Sequence, residues 1–171
     1  MAETSITCNV FSSIGIGCKD NIGGVKNAWV GSYNGFSFTI DSGHTVTGIT
    51  TGTTTLYQIT PVRTSSSATE AQPENNTNTT FEQTITLVYS KNQVTLRNFV
   101  ASLAKSITVC VLQDRNNNFW LYGSDNGLQT ASDQSTGTNE NDPNSWTIKL
   151  HSIEQYPALP VSAAAILPFI V

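Results

Sequence analysis

Charge is scarce in this sequence of 171 residues: Asp, Glu, Lys and Arg make up only 12% of it, about half the usual share. Basic residues are the scarcer kind, 8 against 12 acidic, for a formal net charge of −4. That balance argues against a free-standing nucleic-acid binder, which needs a basic face to neutralise phosphates, and against docking on acidic lipid heads. Long hydrophobic runs are missing too. The apolar stretch from Val161 to Val171, with Pro160 before it and Pro168 inside it, is too short to span a hydrocarbon core of roughly 30 Å, so no membrane anchor is expected. Met1-Ala2-Glu3-Thr4-Ser5 lacks the basic and apolar regions of a secretory signal.

Cysteine occurs three times, at Cys8, Cys18 and Cys110. The number is odd, so at least one thiol stays free or pairs between chains. Cys110 sits in the apolar run Ile107-Thr108-Val109-Cys110-Val111-Leu112 and reads as a core residue. A Cys8–Cys18 bridge stays open. Without an export signal the default is reduced thiols, made in a cytosol.

What the chain has in excess is short polar and β-branched residues: 24 Thr, 18 Ser and 16 Asn, a third of its length. Such a composition favours strands and turns over helix bundles. The length allows one domain with arms, and we divide it into an N-terminal arm (1–26), a single β-domain (27–156) and a C-terminal extension (157–171). The arm is Gly-rich, with Ile14-Gly15-Ile16-Gly17 and Gly23-Gly24. The extension carries Pro157, Pro160 and Pro168, which remove ladder donors, so no strand is expected there.

Within the domain, Phe36, Phe38 and Ile40 alternate onto one face, and so do Phe81, Gln83, Ile85, Leu87 and Tyr89. Trp146, Ile148 and Leu150 repeat the pattern. Short strands with turns at close spacing predict an antiparallel β-sandwich or barrel. One helix is expected over 93–106, where Leu96, Phe99, Val100, Leu103 and Ile107 form a single stripe. Residues 63–80 hold no aliphatic side chain larger than Ala and predict a long hairpin loop; residues 130–144 read as a second polar loop. The expected core comprises Trp29, Phe38, Ile85, Leu87, Phe99, Leu103, Val109, Trp120, Trp146 and Ile148, the tryptophans supplying much of its bulk.

Motifs that carry chemistry are few. Asp41-Ser42-Gly43 matches the short signature of a pepsin-type protease, whose mechanism needs a second carboxylate from another lobe or subunit. His44 follows it where a small residue is usual, and a polar turn accounts for the sequence equally. His44 and His151 are the only histidines, with no zinc spacing or nucleophile elbow around them. Asp114-x-Asn116-x-Asn118 opens like a calcium loop with Asp125 at the twelfth position, but Phe119 stands where that loop requires glycine. Gly15-x-Gly17 and Gly23-Gly24 lack the Lys-Ser/Thr of a phosphate loop. The sequons at Asn75 and Asn78 matter only in a secreted eukaryotic protein. Trp29, Trp120 and Trp146 can also be read as stacking platforms for carbohydrate. No metal, cofactor or catalysis is expected.

A longer pattern lies in 81–150. Phe81-Glu82-Gln83-Thr84-Ile85-Thr86-Leu87 is followed by Lys91, by Thr95-Leu96-Arg97-Asn98 and by the helix to Ala104. Asp114-Arg115-Asn116-Asn117-Asn118-Phe119-Trp120-Leu121-Tyr122-Gly123, Asn126-Gly127, Thr136-Gly137 and Trp146 to Leu150 come after it. This order resembles a set of virion structural proteins of phages infecting Bacteroides-type bacteria, and the element order is similar to that of tail tube proteins. It departs from them in having Asn where the relatives have Gly in the Asp114 turn, and in its apolar C-terminal tail.

The resemblance implies a homo-oligomer of rings or stacked rings, in contact with other virion proteins and letting DNA pass without specific binding. Its place would be the virion, after assembly in the host bacterial cytoplasm. A capsid auxiliary or head–tail connector is the alternative, with a carbohydrate-binding module behind it. Ser65, Pro73 and Asn76 in the loop, Ile14 and Ile16 in the arm, and Leu167 and Phe169 in the tail are the expected inter-subunit contacts.

Overall fold

The computed structural model describes residues 21–51, 55–62, 64–74 and 78–169. In chain order they form β1 (Val25–Ser32), β2 (Phe36–Ile40), β3 (Val46–Thr51), β4 (Tyr57–Ile59), β5 (Ser67–Ala71) and β6 (Phe81–Ser90). After these come α1 (Val94–Leu103), β7 (Thr108–Asp114), β8 (Phe119–Tyr122), β9 (Gln129–Ser135), β10 (Ser145–Glu154), β11 (Leu159–Val161) and the single turn α2 (Ala163–Ile166). The strands make two sheets of mixed order: seven strands as β2-β3-β11-β8-β7-β1-β4, and four as β5-β6-β10-β9. The described residues are thus mainly β-structure in two sheets, with one short helix besides the single turn α2.

The alternation read in the sequence sets the inner face of the four-stranded sheet. Ile85 lies opposite Leu150 and Leu87 opposite Ile148, all four fully or almost fully buried. They join Val30, Ile59, Cys110 and Leu112 of the other sheet and Leu96, Val100 and Leu103 of α1 in one hydrophobic cluster. Each such side chain contributes about 1.5–3 kcal/mol by leaving water. β7 is buried on both faces, as an unbroken apolar run requires. Its Cys110 and Leu112 face that cluster, whereas Val109 and Val111 meet Trp29, Val46, Leu121 and Ile166 in a second one.

The expected core residues fall into two groups. Trp29, Ile85, Leu87, Leu103, Val109 and Ile148 are buried. Phe38, Phe99, Trp120 and Trp146 are half-buried and pack against the clusters from outside. The helix is shorter than the stripe suggested. Ser102 and Ser106 turn their hydroxyls onto the carbonyls of Asn98 and Ser102, the chain leaves the helix at Ala104, and Ile107 ends up half exposed.

Four expectations are corrected. Residues 63–80 are not one long hairpin loop, because β5 runs through them and pairs with β6 from Ser67↔Thr86 to Ala71↔Glu82. Residues 130–144 likewise contain most of β9, paired with β10 from Gln129↔His151 to Ser135↔Ser145. Both are edge strands, held by backbone ladders that need little apolar side chain, so periodicity did not mark them.

The C-terminal extension is not an extended arm. β11 inserts between β3 and β8, Leu159, Val161, Ala165 and Ile166 are buried, and the backbone N–H of Ser162 donates to the Val46 carbonyl at 2.9 Å. A ladder of three residues accommodates Pro160, whose two apolar neighbours supply the burial. Finally, residues 21–26 of the expected arm are docked: Ile22 N–H donates to Asn116 Oδ1 at 2.9 Å, and Arg115 N–H to the Gly24 carbonyl at 3.2 Å. Ile14, Ile16, Cys8 and Cys18 lie outside the described residues.

Candidate functional site

The acidic motifs fold into local turns. Asp41 ends the β2–β3 hairpin, and its Oδ1 accepts the backbone N–H groups of Gly43 (2.9 Å) and Thr45 (2.8 Å). This side-chain mimic of a backbone turn is a standard use of Asp, and it puts His44 in the left-handed region at φ 58°. His44 lies with its ring centroid 6.2 Å from Tyr156. His151 is on β10, with Nε2 3.0 Å from Glu82 Oε1 in a half-exposed pair. The structure therefore keeps the two histidines apart, His44 in the β2–β3 turn of the larger sheet and His151 on a strand of the smaller one.

Asp114 is used more fully. Its Oδ1 accepts Asn116 N–H and Asn118 N–H, each at 2.8 Å. Its Oδ2 accepts Asn118 Nδ2 at 3.1 Å and the Trp120 indole N–H at 3.3 Å. A carboxylate with four donors is a turn anchor for β7–β8, and Asn117 takes the positive φ of 65° that the turn demands. Among the described residues no group of three or more His, Cys, Asp or Glu is arranged to hold a metal ion. The Cys110 thiol is fully buried, and burial pushes its pKa up to about 12, so it stays protonated and unreactive.

The two carboxylates whose pKa is raised, Glu154 and Glu70, lie where one sheet meets the other. Glu154, buried at the end of β10, accepts Asp125 N–H at 2.8 Å and Asn126 N–H at 3.2 Å through Oε2. Burial raises its pKa despite these bonds, and the charge of Asp125 adds to the rise. The Tyr33 hydroxyl donates to the Asp125 carbonyl; burial first, then the charges of Asp125 and Glu154, raise its pKa. Gln83, buried on β6, accepts Gly123 N–H at 3.1 Å and donates to the Tyr156 carbonyl at 3.3 Å. Glu70 accepts Ala158 N–H at 3.0 Å, and burial raises its pKa. These polar groups fasten chain segments to one another.

What is left open is backbone. The four-stranded sheet ends in β5 on one side and β9 on the other, two rows of groups without a neighbouring strand among the described residues. Its outer face is rich in small hydroxyl side chains: Ser67, Thr69, Thr84, Thr86 and Thr147 all lie opposite the buried set by alternation. Of the expected contact residues, Ser65 and Pro73 are exposed just before and after β5, whereas Asn76 lies outside the described residues. Leu167 is 65% exposed, but Phe169 packs against the second cluster.

Sequence reading missed Glu154 and did not single out Gln83, although parity marked both. Gln83 alternates with Ile85 and Leu87, and Glu154 with Ile148 and Leu150. No protein-family model matches the chain, and no curated protein or solved structure matches it either.

Proposed function

We propose that this chain is a structural subunit that joins copies of itself edge to edge into rings, and that its setting is the tail tube of a phage, where stacked rings enclose a conduit for DNA. In this reading it is a virion protein assembled in the host bacterial cytoplasm, its two sheets form the layers of a sandwich, and it catalyses nothing.

The observation that carries the reading is the strand parity of the smaller sheet. β5–β6, β6–β10 and β10–β9 are all antiparallel, so with four strands the two edges run in opposite directions. Rotation of one copy about a ring axis therefore sets β9 beside the β5 of the next copy as an antiparallel pair, which continues the ladder without reversing any subunit. A head-to-tail contact of this kind closes into a ring when the rotation closes, and it removes the exposed edges that a monomer has to blunt.

The other face of this sheet is covered by α1 and the larger sheet, so the hydroxyl-rich face would line the bore. It holds four ionisable side chains, acidic Glu82 and Asp133 and basic Lys149 and His151, and so offers phosphates no net positive surface to grip. Scarce charge also suits surfaces that become contacts, where an unpaired buried charge is costly.

Light scattering and negative-stain microscopy of the purified full-length chain test this. Stacked rings or tubes are the expected result, and closed rings that do not stack would place the subunit at a head–tail joint or on a capsid instead. Compact monomers at high protein concentration would overturn the reading.

A further inference from the structure

Two adjoining clefts, about 270 and 280 Å³ in volume, share Trp120 as a wall. Each is slightly smaller than the pockets of about 300–1,000 Å³ that take drug-sized ligands, leaving room for one ring rather than a large cofactor. In the first, Trp120, Tyr122 and Ala68 form an apolar floor beside Ser67, Asn116 and the Gly23–Gly24 backbone. In the second, Phe119, Trp120 and Pro160 lie beside the amides of Asn117 and Asn118. Because the indole N–H is bonded to Asp114 Oδ2, the Trp120 ring is held before any ligand arrives.

The lining also limits what can bind. Asp114 is the one carboxylate in either wall and no Lys or Arg lines them. That carboxylate is already satisfied by four donors. Two cations stand just outside the walls, Lys26 bonded to Asn117 and Arg115 set against Gly24, so an anionic ligand would find no charge inside either cleft. Asn117 Oδ1 accepts Lys26 Nζ at 2.7 Å and Asn118 Nδ2 donates to Asp114. This leaves Asn117 Nδ2 as a donor and Asn118 Oδ1 as an acceptor without partners among the described residues. A held aromatic face beside one free donor and one free acceptor suits a ring with an apolar face and hydroxyl edges.

We infer that the paired clefts bind an uncharged oligosaccharide, with a pyranose ring on each side of Trp120 and hydroxyls bonded to Asn117 and Asn118. This is independent of the ring reading: assembly without sugar binding, or binding without assembly, separates the two.

The test is a titration of the isotope-labelled full-length chain with cello-, chito-, malto- and mannohexaose, following the indole N–H signals of its three Trp. At least one sugar should move the Trp120 signal saturably, and bind about tenfold more tightly than its monosaccharide, because two linked subsites reinforce each other. Trp120→Ala should abolish binding. Gly23→Leu gives a second check: Gly23 lines the first cleft and a Cβ there meets nothing within 4 Å, so the variant should keep its melting temperature while the added bulk at the cleft wall weakens binding about tenfold. No shift with any of the four sugars at about 10 mM would overturn the inference. Binding that survives both substitutions, or a proline-rich peptide moving Trp120 when no sugar does, would overturn it as well.

Discussion

Glu154 holds Asp125: the buried carboxylate at the end of β10 accepts the backbone N–H of Asp125 at 2.8 Å, across from one sheet to the turn that follows β8 in the other. Asn126 strengthens the tie with two donated bonds, its own N–H to Glu154 at 3.2 Å and its side-chain amide to the Ile153 carbonyl at 2.7 Å. Gln83 and Glu70 make comparable ties to Gly123, Tyr156 and Ala158. The sheets are therefore linked by a hydrophobic cluster and by polar bonds to fixed backbone groups.

The Glu154 tie should make stability depend on pH with a definite sign. Burial, the largest cause, raises the folded-state pKa above the unfolded value. The group's contribution is therefore fully present below the unfolded pKa and is lost as pH rises through the raised folded one. Replacing Glu154 by Gln removes this dependence, so the stability difference between variant and parent should move in the variant's favour as pH rises through that window. Urea denaturation at a series of pH values measures it; a difference moving the opposite way would mean that the bonds to Asp125 and Asn126 outweigh burial.

Asp114→Ala leaves two backbone N–H groups, one amide and one indole N–H without their acceptor. The turn is partly open to water, so the expected cost is about 1–2 kcal/mol, seen as a lower denaturation midpoint at unchanged slope. Calcium at millimolar concentration should leave the melting temperature of the parent unchanged, because the Asp114 oxygens are already occupied. Stabilisation by calcium would show that the turn opens to ligate it.

How much of this was legible in the sequence follows from what each strand has to bury. β6 and β10 place every second side chain against the core, so Ile85, Leu87, Ile148 and Leu150 were readable, and β7 showed as an unbroken apolar run. β5 and β9 are edges held by main-chain bonds, and sequences such as Ser67-Ala68-Thr69-Glu70-Ala71 carry no apolar period to reveal them. β11 was hidden by Pro160, because a ladder of only three residues escapes the usual penalty for proline. The turns around Asp41 and Asp114 were recognisable as turns from residue type alone. The tie from Glu154 to Asp125 was not, since it spans 29 positions of chain and rests on two segments whose contact only the fold creates.

Residues Ile166 and Leu167 separate a tail that completes the fold from one that merely trails. Ile166 is fully buried in the second cluster, whereas its neighbour Leu167 projects outward. Ile166→Ala should cost about 2–5 kcal/mol, and Leu167→Ala less than about 0.5 kcal/mol. Chemical denaturation of the two variants measures both, and equal small effects would show that the tail does not bind the body of the protein in solution.

Hydrogen exchange along the two edges of the smaller sheet tests the ring reading most directly. In the free subunit, the outward amides of β5 and β9 should exchange quickly while β6 and β10 stay protected. In assembled particles both edges should become protected together, because each then donates to a neighbouring copy. Particles in which Ser67–Ala71 and Gln129–Ser135 exchange as fast as in the free subunit would contradict edge-to-edge joining.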